Sequence, residues 1–164
     1  MMFASRLLLV TATAFALAGC ATSHMSKAPV SVADTIAAQP ELSTLNGLVA
    51  KTGLADTLKG AGPFTVFAPT NEAFAKVPGK TMDELAKDPA KLKALLSYHV
   101  VAGTLMAADV KNGNSKTVNG ANVALSKAGN FVIVEQALVQ TADISASNGV
   151  VHTVDGVLIP PASH

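Results

Sequence analysis

The chain predicts an α+β domain, on three observations. Capped helix starts crowd the segment from Ser31 to Tyr98. Short β-favouring runs separated by glycine turns fill the segment after Val100. Helices first and strands later point to an α+β arrangement, not an alternating parallel sheet. At 164 residues, one domain with a single adequate core is the expectation.

The first nineteen residues read as an export signal. Arg6 supplies the positive start. Leu7 to Ala18 is apolar but too short to cross a hydrocarbon core of roughly 30 Å. The run ends in Leu17-Ala18-Gly19-Cys20, which resembles a bacterial lipobox. That pattern implies diacylglycerol on the Cys20 sulfur, cleavage before Cys20 and acylation of its new amino group. Cys20 is the chain's only cysteine, so it has no disulfide partner. Ala16-Leu17-Ala18 also reads as an ordinary cleavage site, which would release a soluble product. Ala21, not Asp, follows the cysteine, which favours the outer membrane in a Gram-negative host. Residues 20–30 then form a small, polar tether, with a domain at 31–161 and a tail at 162–164.

The helices follow in order. Ser31-Val32-Ala33-Asp34 resembles a capping box, and its helix must end before Pro40. Leu42, Leu45, Leu48 and Val49 share one helical face, closed by Gly53. Leu54 to Lys59 is a further turn or two, stopped by Gly60. Phe64 to Ala68 is apolar and β-favouring, and Pro69 ends it. Thr70 caps a helix starting at Asn71. Thr81-Met82-Asp83-Glu84 reads as a full capping box, and Asp88-Pro89 as a cap with a first-turn proline. Leu92, Leu95, Leu96 and His99 then lie on one face.

Beyond Val100 the strand candidates are Val118, Ala121–Leu125, Phe131–Val139 and Val150–Ile159. Asn-Gly, Ala-Gly-Asn and Ser-Asn-Gly turns divide them. Asn148-Gly149 is read as a positive-φ hairpin pair, and Asp143 as a turn cap before it.

Three separated segments, in order, resemble the fasciclin domain. They are Gly62–Phe74, Leu95–Gly103 with its Tyr98-His99 pair, and Ala142-Asp143-Ile144 followed by Asn148–Pro160. The resemblance implies a β-sandwich or wedge with the N-terminal helices packed on one edge and face. It implies an adhesion or protein-interaction module, held at or secreted from the cell surface. Asp143, Ile144, Tyr98 and His99 fall where the family contacts integrins in animals, so they become candidate partner-contact residues. Thr70, Asn71, Asn148, Gly149 and His152 carry over as structural motif positions. Two positions depart from the family pattern: Ala102 stands where Pro is frequent, and Glu135-Gln136 where Asn-Gly is common.

The charge balance narrows the partners. Twelve basic residues face eleven acidic ones, and Arg6 lies in the leader. A neutral remainder has no basic footprint for nucleic acid. His99 and His152 lack further ligands at metal spacing. Ser97, His99 and an Asp have no nucleophile elbow or oxyanion loop around them. The reading is therefore non-enzymatic, with no catalytic residue, cofactor or metal. It engages a surface or matrix protein or glycan, and reaches the membrane through Cys20. The rival reading is a periplasmic carrier of small apolar ligands.

Overall fold

The computed structural model describes residues 30–160. The leader, Cys20, the tether at 20–29 and the tail at 162–164 lie outside the described residues. Three helices come first: α1 (Val32–Ala38), α2 (Ser43–Thr52), entered through a 3-10 turn at Pro40–Leu42, and α3 (Leu54–Lys59). Strand β1 (Phe64–Pro69) leads into α4 (Asn71–Ala75), α5 (Gly79–Lys87) and α6 (Pro89–Tyr98). The rest is β: β2 (Val100–Ala102), β3 (Gly113–Lys116), β4 (Asn122–Ala128), β5 (Phe131–Val134), β6 (Ala137–Ala146) and β7 (Gly149–Val154).

Side-chain caps set the starts of α1, α4 and α6. Ser31 accepts from the Asp34 N–H at 3.2 Å, and the Asp34 carboxylate takes the Ser31 hydroxyl at 2.6 Å. That hydroxyl holds the Asp34 carboxyl below the usual carboxylate range. Thr70 caps α4 through the Ala73 N–H, and Asp88 caps α6 through Ala90 and Lys91. Gly53 closes α2 in the left-handed region at φ 68°. The expected box at Thr81–Glu84 is not a cap. Pro78 precedes the helix, α5 begins at Gly79, and the Thr81 and Met82 N–H groups already bond the Pro78 carbonyl.

The seven strands form one sheet in the order β2-β1-β7-β6-β5-β4-β3. β1 and β7 run parallel, and the other pairs are antiparallel. The sheet curls until its two edge strands approach: Val101 bridges Thr117, and the Val118 N–H donates to the Val100 carbonyl. This gives β1 and β7 two buried faces. Val66, Ala68 and Val151 meet the helices, packed with Ile36, Leu45, Leu95 and Phe74. Phe67 and Val154 point inward, against Val123, Leu125, Val132 and Val134 of the facing strands. β1 and β7 therefore each serve two cores, in the wedge-like α+β architecture the family resemblance implied.

Several strand limits differ from the sequence expectation. Val118 is exposed and sits in the turn after the Thr117 bridge. Phe131–Val139 is split at Glu135-Gln136 into β5 and β6. β7 stops at Val154, because the Val154-Asp155 corner leads the chain toward His99. β3, Gly113–Lys116, has no apolar residue and so gave no strand signal.

Candidate functional site

The motif residues cluster at two junctions and one corner. The first junction joins the end of α6 to the segment after β7. His99 is 1% exposed and follows α6 as its C-terminal cap. Its Nδ1–H donates to the Leu95 carbonyl at 2.8 Å, and Nε2 accepts the Leu158 N–H at 2.9 Å. Burial pushes the ring down to about 4, opposed in part by the Leu95 carbonyl. The imidazole is therefore neutral, and both nitrogens are occupied by main chain.

Tyr98, also 1% exposed, points the other way, into the inner core. Its hydroxyl donates to Glu135 Oε1 at 2.9 Å, with the Asn122 carbonyl 3.0 Å away. The same Glu135 oxygen accepts the Ala124 N–H at 2.8 Å. Burial first, then the Glu135 hydrogen bond and charge, push the Tyr98 phenol up to about 12. Glu135 holds φ 57°, a left-handed conformation at the first of the two turn residues between β5 and β6. Asn-Gly would supply that conformation without a steric cost. Here the glutamate is held in it by two hydrogen bonds. The buried side chains of Tyr98 and His99 leave them no surface to offer a partner directly.

The second junction is where Asp143 and His152 meet. The β6–β7 register shifts between Val139 and Thr141 and again between Thr141 and Ile144. Asp143 sits in this bulge at φ 58°. It is not a turn cap. Its N–H donates to His152 Nδ1 at 3.0 Å, and its Oδ1 accepts the Ala107 N–H at 2.8 Å. His152 Nε2–H donates to the Leu105 carbonyl at 2.7 Å. The ring stacks on Phe67, centroids 5.5 Å apart. Burial pushes His152 below its ordinary value, while the Leu105 carbonyl and the Asp143 charge pull it back up. Thr65 holds the same loop, bonding the Gly103 carbonyl at 2.7 Å and the Leu105 N–H at 2.8 Å. The Asp143 side chain is exposed and Ile144 is half-buried beside it.

The corner is Asn148-Gly149, and its role differs from the expected positive-φ turn. Asn148 Oδ1 accepts the Val32 N–H at 2.8 Å, and its Nδ2 donates to the Leu58 and Gly60 carbonyls. It ties α1 and α3 to the β6–β7 turn. Gly149 is required by close approach: a Cβ there would collide with the Phe64 carbonyl of β1. Asn71 is likewise a cross-link, since its amide bonds the Thr44 N–H and the Pro40 carbonyl at the start of α2.

Among the described residues no group of three or more His, Cys, Asp and Glu is placed to hold a metal ion. No described helix is long and apolar enough to cross a membrane. Surface grooves are present among the described residues. One, of about 410 Å³, lies between Lys76, Glu135, Asp155 and Ile159. Another, of about 500 Å³, lies between Pro63, Thr104, Met106 and Asn148. Both open to the surface, and both are lined by polar as well as apolar groups.

Comparison with known proteins gives a consistent result. The family model of the fasciclin domain matches residues 40–160. The chain is 39% identical over 134 residues to protein sll1483 of Synechocystis, covering 80% of this chain and 74% of that one. It is 42% identical over 143 residues to immunogenic protein MPB70 of Mycobacterium bovis, covering 84% and 72%. It is 37% identical to the cell surface glycolipoprotein MPB83 of M. bovis, of which it spans 61%. The FAS1 domain pair of the insect cell adhesion molecule fasciclin I shares the fold, with a TM-score of 0.63 at 16% identity. The match covers 80% of this chain and about half, 51%, of that one.

Proposed function

The chain belongs to the fasciclin-domain family, and on that premise we propose that it is a non-enzymatic, extracytoplasmic interaction module tethered to the cell envelope through lipid on Cys20. Its partner is a surface or matrix protein or glycan, contacted through exposed loop and strand surface around Asp143 and Ile144. The observation that carries this reading is kinship over most of the chain with proteins that include one named a cell surface glycolipoprotein. Two further facts support it. The groups best suited to chemistry, His99, His152 and Tyr98, are buried and bonded to main chain or to Glu135. The lipobox-like Leu17–Cys20 supplies an anchor consistent with a glycolipoprotein relative. Several acyl chains would bind far more firmly than the marginal hold of one.

The experiment has two parts. Wild-type chain from membranes should carry fatty acid at Cys20 by mass spectrometry, and Cys20→Ser should move it to the soluble fraction. Cells lacking the protein should attach more weakly to protein- or glycan-coated surfaces, and Asp143→Ala with Ile144→Ala should reproduce that loss. Unacylated protein removes the anchor, and unchanged attachment in both strains removes the adhesion role.

A further inference from the structure

The loop between β2 and β3 is fastened to the sheet by side chains of unequal character. Thr65 grips Gly103 and Leu105 from β1 with bonds that do not respond to pH over the ordinary range. Lys127 of β4 grips the Ala108 carbonyl at 3.0 Å. Val110 is buried in the inner core. Between these holds, the Ala107 N–H depends on Asp143, and Asp143 depends on His152. The bond from Asp143 N–H to His152 Nδ1 exists only while that nitrogen has a free lone pair.

We propose that His152 is an acid-sensitive latch, whose neutral imidazole holds the Asp143 bulge and the Ala107–Asp109 turn, and whose protonation at Nδ1 releases both. The added proton turns the acceptor into a donor, so two N–H groups then face one another. Nε2–H is unaffected and keeps the Leu105 carbonyl. The Asp143 carboxylate is the charge that acts on the ring. Drawing it toward the new Nδ1–H re-aims the whole carboxylate, and with it the Oδ1 that accepts the Ala107 N–H. The left-handed φ of Asp143 favours this, since that conformation persists only while its surroundings enforce it.

The charges facing the ring are few. β1 and the rest of β7 contribute no titratable group, and β6 contributes only Asp143. The loop carries Asp109 and Lys111, and β4 brings Lys127 to the turn. Burial displaces the ring's titration below 6.5, so the latch is closed at neutral pH and opens in acid. Opening alters the rim of the groove at Met106 and the Asp143-Ile144 surface together. The consequence for adhesion rests on the reading above, whereas the latch itself does not.

The test follows the full-length, 15N-labelled chain in detergent by NMR from pH 7.5 downward. The Ala107 and Asp143 amide resonances should move with the midpoint of the His152 ring. Protection of the Ala107 amide should fall roughly five- to tenfold below that midpoint, the loss of about one hydrogen bond. Val66 and Val151 amides should keep theirs. His152→Gln retains a neutral donor and acceptor and should flatten the response. Asp143→Asn should shift the midpoint further into acid. The proposal fails if Ala107 is indifferent to the ring's titration, or loses protection only when Val66 and Val151 do. These readouts involve no partner, so their failure is distinct from failure of the attachment assay.

Discussion

His99 and His152 are two buried imidazoles that hold main chain in opposite tautomers, at junctions of opposite character. His99 carries its proton on Nδ1 and accepts at Nε2. His152 carries it on Nε2 and accepts at Nδ1. Both partners of His99 lie in the packed interior, on α6 and beyond β7. The partners of His152 lead outward, to a bulge whose side chain is exposed and to a loop over it. The same side chain is a weld where its surroundings cannot move and a fastening where they can. What decides the role is the burial of the groups that the ring holds, since both rings are themselves buried.

The largest effect should come from the weld. His99→Leu leaves the buried Leu158 N–H without an acceptor, at a cost of about 2–3 kcal/mol. Urea unfolding should show it as a lower midpoint with an unchanged slope. Next comes pH. The folded ring titrates at about 4 and the unfolded one near 6.5, so the unfolded chain takes up the proton first. His99's contribution is whole above pH 6.5 and is lost as pH falls through 4, about 3 kcal/mol in all. His152 has the same sign. Urea titrations at pH 7, 5.5 and 4 should trace the decline, and His99→Leu should flatten most of it.

His152→Leu should cost less, about 1–2 kcal/mol, because the Asp143 N–H it abandons can find water. Part of that cost is the stack on Phe67. A penalty equal to that of His99→Leu would collapse the distinction between the two junctions.

Much of this was legible beforehand. Ser31, Thr70 and Asp88 cap as their types demand, because capping is settled within four residues. Gly53 closes α2 for the same reason. Thr81 misled because Pro78 upstream had already fixed the helix start. The site was harder to read, since its geometry is made by contacts distant in sequence. A Cβ at Gly149 would collide with Phe64 only because β1 lies beside β7, so a close-approach glycine looked like a turn glycine. Asp143 looked like a cap because a bulge depends on the register of two strands. Glu135 carried one usable signal, its place where Asn-Gly is common, but its partner Tyr98 is 37 residues away.

The smallest effect tests the side of α6 that His99 does not hold. Tyr98 and His99 are adjacent, yet one pins the inner sheet through Glu135 and the other pins the chain after β7. Glu135→Gly would relieve a left-handed φ that costs about 1–2 kcal/mol in a residue with a Cβ. It would also remove the acceptor for Tyr98 and Ala124, worth about 1 kcal/mol each. The two nearly cancel, so stability should change by less than about 1 kcal/mol. The phenol is the sharper reporter. Ultraviolet titration should show the Tyr98 midpoint falling from about 12 in Glu135→Gly and in Glu135→Gln, since both remove the carboxylate charge. It should stop above the ordinary 10, because burial is the larger cause and neither substitution opens the core. An unmoved midpoint would mean that the tyrosine is held by the Asn122 carbonyl alone, and that the two faces of α6 are not pinned in matching fashion.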